Sequence, residues 1–126
     1  LAADRGGGAS VLSLSPRTRV YAALGATDMR KSYDTLAEAV RRVIGEDPLS
    51  GDVFVFCNGA RNRIKVLCFD RGGYWLVARR LEKGTFAWPR ERARERVTMR
   101  AEDLMLLLGG LDPSHFQRRI WYERAS

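Results

Sequence analysis

The sequence predicts an α+β domain in which a mostly antiparallel β-meander sheet carries two helices packed on one face. Four short apolar runs lie between positions 53 and 89 and are rich in β-branched and aromatic residues, which is typical of strands. Segments that contain Asn-Gly, Gly-Gly or Lys-Gly separate these runs, as expected for successive hairpins. Two amphipathic stretches flank the runs and predict the helices.

The chain begins with small residues and a triple glycine and shows no lasting periodicity, so residues 1–15 are predicted to form a flexible leader. A single domain is predicted over residues 16–112, and its first strand covers residues 18–23. We expect the remaining segment, 113–126, to be a C-terminal tail with a short helix.

The first helix is predicted over residues 29–44, where apolar residues recur at helical spacing. Thr27-Asp28 is expected to cap its start, and Gly45 to end it. The meander then follows, with strands expected at 53–57, 64–69, 74–78 and 85–88. After a mixed-charge run at 90–96, Thr98 is expected to cap a second helix, whose leucine stripe is Leu104, Leu107, Leu108 and Leu111.

Composition favours an anionic partner. The 126 residues include 22 Lys and Arg against 15 Asp and Glu, which gives a formal net charge of +7. Such an excess favours nucleic acid or an acidic protein as the partner. No run approaches the ~20 apolar residues of a membrane span. Cys57 and Cys68 lie in apolar runs at opposite ends of a predicted hairpin, which indicates two buried free thiols and a reducing cytoplasm.

Signals of catalysis are weak. His115 is the single histidine, and neither a Cys-x-x-Cys pair nor a phosphate-binding glycine loop is present. We therefore expect no catalytic site, no metal and no cofactor. A metal-dependent nuclease that uses Asp28, Asp34 or Asp70 remains an alternative, although the first suits a helix cap, the second an exposed helix position and the third a turn.

Basic residues near the predicted turns are the stronger functional signal. The candidates for contacts with DNA phosphates are Arg30, Lys31, Arg61, Arg63, Lys65, Arg79, Arg80 and Lys83. Charges at strand ends also prevent aggregation between sheet edges, which is the structural alternative for each of them. Trp75 and Trp88 are candidates for partner binding if they are exposed, although a tryptophan in an apolar strand more often belongs to the core.

Several longer segments resemble one bacterial mobile-element family. They cover residues 20–37, 45–48, 50–56, 61–67, 70–76 and 79–89. Over roughly residues 15–112 the chain is similar to the small accessory protein, TnpB or Orf2-like, of IS66 insertion sequences. It differs from the family pattern at Cys57 and Cys68, in its Gly-rich leader and in its extended tail.

The resemblance implies a protein that is encoded and acts beside a helix-turn-helix partner and a larger transposase, which carries the catalytic acids. Together with the free thiols, this leads us to expect a cytoplasmic protein. The expected function is non-catalytic help in transposition, by binding the backbone of duplex DNA weakly, by docking the transposase, or by both. A pure protein–protein adaptor without DNA contact remains the alternative.

Overall fold

The computed structural model describes residues 17–89 and 96–109. Five strands form one sheet: β1 (Val20–Ala23), β2 (Val53–Cys57), β3 (Arg63–Asp70), β4 (Gly73–Arg80) and β5 (Arg96–Met99). The helices are α1 (Tyr33–Ala39), which continues as a π-helical segment (Val40–Ile44), and α2 (Ala101–Leu108). The predicted leader, tail and most of the mixed-charge run lie outside the described residues.

The sheet has the strand order β4-β3-β2-β1-β5. All neighbouring pairs are antiparallel except β1 and β2, which run parallel with Val20 opposite Val53. A parallel pair needs a crossover connection, and α1 with its π-helical segment provides it. The predicted α+β class and mostly antiparallel sheet are therefore confirmed.

The two helices pack on opposite faces of the sheet, so the prediction of a single covered face was wrong. On the α1 face, Leu36 and Val40 pack with Tyr21, Phe54 and Phe56. On the α2 face, a second buried cluster joins Leu104 and Leu107 of α2 to alternate residues of the same strands, including Val20, Ala22, Val53 and Val55. All residues of β1 and β2 are buried, and successive side chains point to opposite faces of the sheet. Each face therefore needs a helix packed against it.

The first helix begins later than predicted. The Thr35 hydroxyl accepts a hydrogen bond from the Ser32 N–H at 2.9 Å, so Ser32 stands at the helix start. Asp28 does not cap the helix, because its carboxylate accepts hydrogen bonds from Arg30 instead. Gly45 ends the π-helical segment with a φ of 80°, in agreement with the sequence prediction.

The fourth apolar run does not form a strand, so the meander consists of β2, β3 and β4 only. The ladder ends where the Leu81 N–H donates to the Asn62 carbonyl at 2.8 Å. Gly84, with a φ of 77°, then helps to redirect the chain. Phe86 and Trp88 leave the sheet and become part of the core on the α2 face.

The two cysteines are free and buried, as expected. Cys57 pairs with Ile64 and Cys68 pairs with Val53, so the thiols lie at opposite ends of the β2–β3 hairpin. Burial raises the pKa of Cys57 to about 11 and also raises the pKa of Cys68. No helix within residues 17–89 and 96–109 is long and apolar enough to cross a membrane.

Because each face has its own core, we expect independent losses of stability from truncation on the two sides. Leu36→Ala and Leu104→Ala each remove a fully buried side chain, and each should lower the free energy of unfolding by about 2–5 kcal/mol. Urea unfolding of the double variant should give the sum of the two losses to within about 0.5 kcal/mol. Strong coupling between the two substitutions would contradict separate cores.

Candidate nucleic-acid interface

The candidate site is built on the β3–β4 hairpin. Asp70 pairs with Gly73, so the turn has only two residues, Arg71 and Gly72, and both have positive φ, 47° and 82°. Eight successive residue pairs continue from this turn without a bulge. Because the register is continuous, cross-strand partners share a face of the sheet.

This register brings four of the predicted DNA-binding residues together. Their common feature is a hollow of about 310 Å³, which we call the basic hollow; it is lined by Met29, Arg63, Ile64, Lys65, Ala78, Arg79 and Arg80. Alternation places Arg63, Lys65 and Arg80 on the α1 face, whereas Arg79 pairs with the buried Ile64 and belongs to the α2 face.

Two arginines oppose each other across the two strands. Arg63 and Arg80 are direct cross-strand partners, and like charges in this position destabilise a sheet. Arg80 Nε donates to Glu82 Oε2 at 2.9 Å, which neutralises part of the charge. Arg63 forms no ion pair with any residue in the described ranges, so the hollow keeps an excess of positive charge.

Lys65 has a structural role at the floor of this hollow. Its ammonium donates to the backbone carbonyls of Met29 at 2.8 Å and Lys31 at 2.7 Å. Lys65 is half-buried, and these bonds tie β3 to the loop before α1. Two of its three donors are therefore engaged within the protein.

The loop between β2 and β3 is fixed by an asparagine pair. Asn58 Oδ1 accepts from the N–H groups of Asn62 and Arg63, each at 3.0 Å, and Asn58 Nδ2 donates to Asn62 Oδ1 at 2.8 Å. Arg61 lies within this loop with a φ of 63°, and its Nη1 is buried without a hydrogen-bond partner among the described residues. Its positive charge opposes the rise in the pKa of the neighbouring Cys57.

The remaining predicted cations are placed outside the hollow. Arg30 forms an ion pair with Asp28 at 2.7 Å, and hydrogen bonds from Arg30 lower the pKa of Asp28 to about 2. Lys31 is half-buried, and its own backbone carbonyl accepts the hydrogen bond from Lys65. Lys83 is exposed on the loop after β4. Arg90, Arg92 and Arg94 lie outside the described residues.

The two candidate tryptophans differ in exposure. Trp75 is 39% exposed on β4, and its Nε1 donates to Asp70 Oδ2 at 3.4 Å. Trp88 is 5% exposed and donates to the Leu24 carbonyl at 3.3 Å. The ring of Trp88 therefore contributes to the core, whereas the ring of Trp75 is accessible to a partner.

The acids named for a nuclease are dispersed. Asp28 is paired with Arg30, Asp34 lies in the first turn of α1, and Asp70 contacts Trp75 and Arg71 at the end of β3. Within residues 17–89 and 96–109, no group of three His, Cys, Asp or Glu residues is arranged to hold a metal ion.

The structural roles of two residues, Arg96 and Met29, were not predicted from the sequence. Arg96 donates to the Ile44 carbonyl at 3.0 Å, forms an ion pair with Glu46 and stacks on Tyr21 at 4.9 Å. Met29 lines the basic hollow and supplies a carbonyl to Lys65. Neither role carries a local signal, because each depends on contacts between residues distant in sequence.

Comparisons with known proteins agree on one family. A family model described as IS66 Orf2 like protein matches residues 18–118. "Uncharacterized protein y4hO" of Sinorhizobium fredii (strain NBRC 101917 / NGR234) is 35% identical over 107 residues, which cover 85% of this chain and 92% of that protein. "Uncharacterized protein y4jC" of the same strain is 30% identical over 101 residues, covering 80% and 86%. No solved structure matches the chain.

Removing the Lys65 ammonium should loosen the loop before α1. Lys65→Met leaves two carbonyls without their charged donor, so we expect the free energy of unfolding to fall by about 1.5–3 kcal/mol in urea titrations. Arg63→Met is the matched control on the same face of β3, and its exposed side chain predicts a change within about 0.5 kcal/mol. Equal losses in both variants would contradict a structural role specific to Lys65.

The Asp28–Arg30 pair predicts a pH dependence. The folded pKa of Asp28, about 2, lies below the ordinary value of 3.8, so the pair stabilises the fold above about pH 4 and loses this effect as the pH falls toward 2. An NMR titration of the carboxyl carbon should show this low pKa, and Arg30→Ala should move it toward 3.8. An unchanged pKa in the variant would show that Arg30 is not its cause.

Proposed function

The chain belongs to the IS66 Orf2-like family of insertion-sequence accessory proteins, and we propose that it assists transposition by binding the phosphate backbone of duplex DNA through the basic hollow. The observation that carries the proposal is the opposed pair Arg63 and Arg80. Two guanidinium groups across neighbouring strands repel each other, and an anion between them removes that repulsion.

The geometry of the hollow suits a phosphate group. Arginine presents a planar fork of donors that matches phosphate oxygens, and the β3–β4 ladder places both arginines on the same face of the sheet as direct cross-strand partners. Lys65 adds positive charge at the floor while it remains bonded to Met29 and Lys31. Its third ammonium proton has no hydrogen-bond partner among the described residues.

Such an interface binds without choosing a sequence. Contacts with phosphates fix position and orientation, whereas contacts with base edges carry the sequence information. The proposed division of labour therefore leaves sequence choice and strand cleavage to the transposase and the helix-turn-helix partner of the same element. The accessory protein supplies affinity for the DNA on which they assemble.

A salt series tests DNA binding directly. Fluorescence anisotropy on an element-end duplex and on a scrambled duplex should give similar affinities for both, with a logarithmic salt slope of about −0.9 for each phosphate neutralised. The variant Arg63→Gln/Arg80→Gln should bind more weakly and show a shallower slope.

A charge-matched variant separates the hollow from net charge. Arg41→Gln/Arg42→Gln removes the same two charges from the π-helical segment, where both arginines pair with Glu38. We expect its affinity to fall less than that of the hollow variant. Equal losses in the two variants would show that only net charge matters, and no binding at low salt would overturn the proposal.

A second candidate function is a protein–protein adaptor that does not contact DNA. The exposed ring of Trp75 on β4 favours it, because aromatic residues are frequent anchors of interfaces. Co-purification with the transposase that survives nuclease treatment and high salt, and that Trp75→Ala abolishes, would support the adaptor. Loss of the complex after nuclease treatment would instead favour DNA as the link.

A further inference from the structure

β4 is an edge strand with a full set of backbone groups facing outward. It pairs only with β3 in the sheet order, and its pairing runs over eight residues. Because the two-residue turn makes Asp70 and Gly73 a hydrogen-bonded pair, alternate residues Tyr74, Leu76, Ala78 and Arg80 direct their N–H and C=O groups away from β3. The Leu81 N–H donates to the Asn62 carbonyl, which shows that the odd-numbered residues of this strand face β3 and that the even-numbered ones face outward.

Over its first half, and within the described part of the chain, this edge lacks the usual devices that prevent strand pairing. Over residues 74–78 it carries neither proline nor charge, and the unbroken register shows no bulge. No backbone hydrogen bond to this edge comes from any other described residue. The opposite end of the strand carries Arg79 and Arg80, so the edge has an aromatic half and a cationic half.

We propose that a second copy of this chain binds along β4, antiparallel and with Val77 on the two-fold axis. In this register the outward-facing groups of Tyr74 and Arg80 pair with those of Arg80 and Tyr74 of the second copy, and Leu76 pairs with Ala78 in the same way. Two five-stranded sheets then become one continuous sheet of ten strands.

Side-chain complementarity selects this register. Trp75 lies opposite Arg79 of the second copy on the α2 face, and Tyr74 lies opposite Arg80 of the second copy on the α1 face. Each of these two cation–π contacts occurs twice because of the two-fold symmetry. Asp70, which already accepts a bond from Trp75, adds a negative charge beside the incoming Arg79. A register shifted by one residue, with Leu76 on the axis, would place Arg80 opposite the turn residue Gly72 of the second copy. Both cation–π contacts would then be lost.

The pairing does not require bound DNA, but it shares Arg80 with the basic hollow and therefore determines where the two hollows lie. Ala78 and Arg80 line each hollow and also form part of the proposed interface. The dimer therefore places the two hollows on the same face of the extended sheet, on either side of the axis.

Analytical ultracentrifugation of the unmodified full chain tests the association. We expect a concentration-dependent monomer–dimer equilibrium. Trp75→Ala and Arg79→Ala should each raise the dimer dissociation constant by about tenfold, because each removes two symmetric cation–π contacts. Arg42→Ala, on the π-helical segment, should leave it unchanged. A chain that stays monomeric at its highest attainable concentration would overturn the proposal.

Disulfide trapping tests the register. Val77→Cys places two thiols across the axis in a non-hydrogen-bonded pair with Cα atoms about 4.5 Å apart, so mild oxidation should yield a covalent dimer. Ala78→Cys is the matched control, because strand spacing separates its two Cα atoms by roughly 8 Å. The native thiols are buried and should not compete. Equal cross-linking of both variants, or cross-linking of Ala78→Cys alone, would contradict this register.

Discussion

Burial of β2 on both faces is the constraint on which the structure depends. All five of its residues, Val53 to Cys57, are fully buried. A strand of this kind needs a neighbour on each edge and a helix over each face, and the chain supplies β1, β3, α1 and α2. The β3–β4 hairpin extends outward from this buried centre and carries the basic hollow.

Polar contacts hold the hollow in place without filling it. Lys65 ties β3 to the loop before α1, and Asn58 fixes the backbone of Asn62 and Arg63. Glu82 balances only Arg80. One cation of the predicted set thus stabilises the scaffold, whereas its neighbour Arg63 faces outward with no acid beside it in the described part of the chain. This separation of roles gives the surface its preorganised positive charge.

The sequence predicts β1 to β4 and the end of the first helix because these follow local patterns, whereas the apolar run at 85–88 resembles a strand and does not form one. Gly45 and the two-residue turn at Arg71-Gly72 have backbone requirements that few residues meet. The prediction that both helices cover one face was wrong, although the unbroken apolar run of β2 is itself the signature of a strand covered on both sides. Lys65 and Arg63 look alike in sequence, and only the carbonyls of the distant loop distinguish them.

The strand order also has a consequence for how the chain folds. β2, β3 and β4 are neighbours in sequence, whereas Val20 of β1 pairs with Met99 of β5. The meander therefore closes short loops, and the β1–β5 pair closes the longest one, which makes it the late and slow contact. During synthesis on the ribosome, the outer edge of β1 stays open until residues 96–99 emerge. A chain stalled before that point would expose an apolar strand, which makes it a substrate for chaperones and proteases.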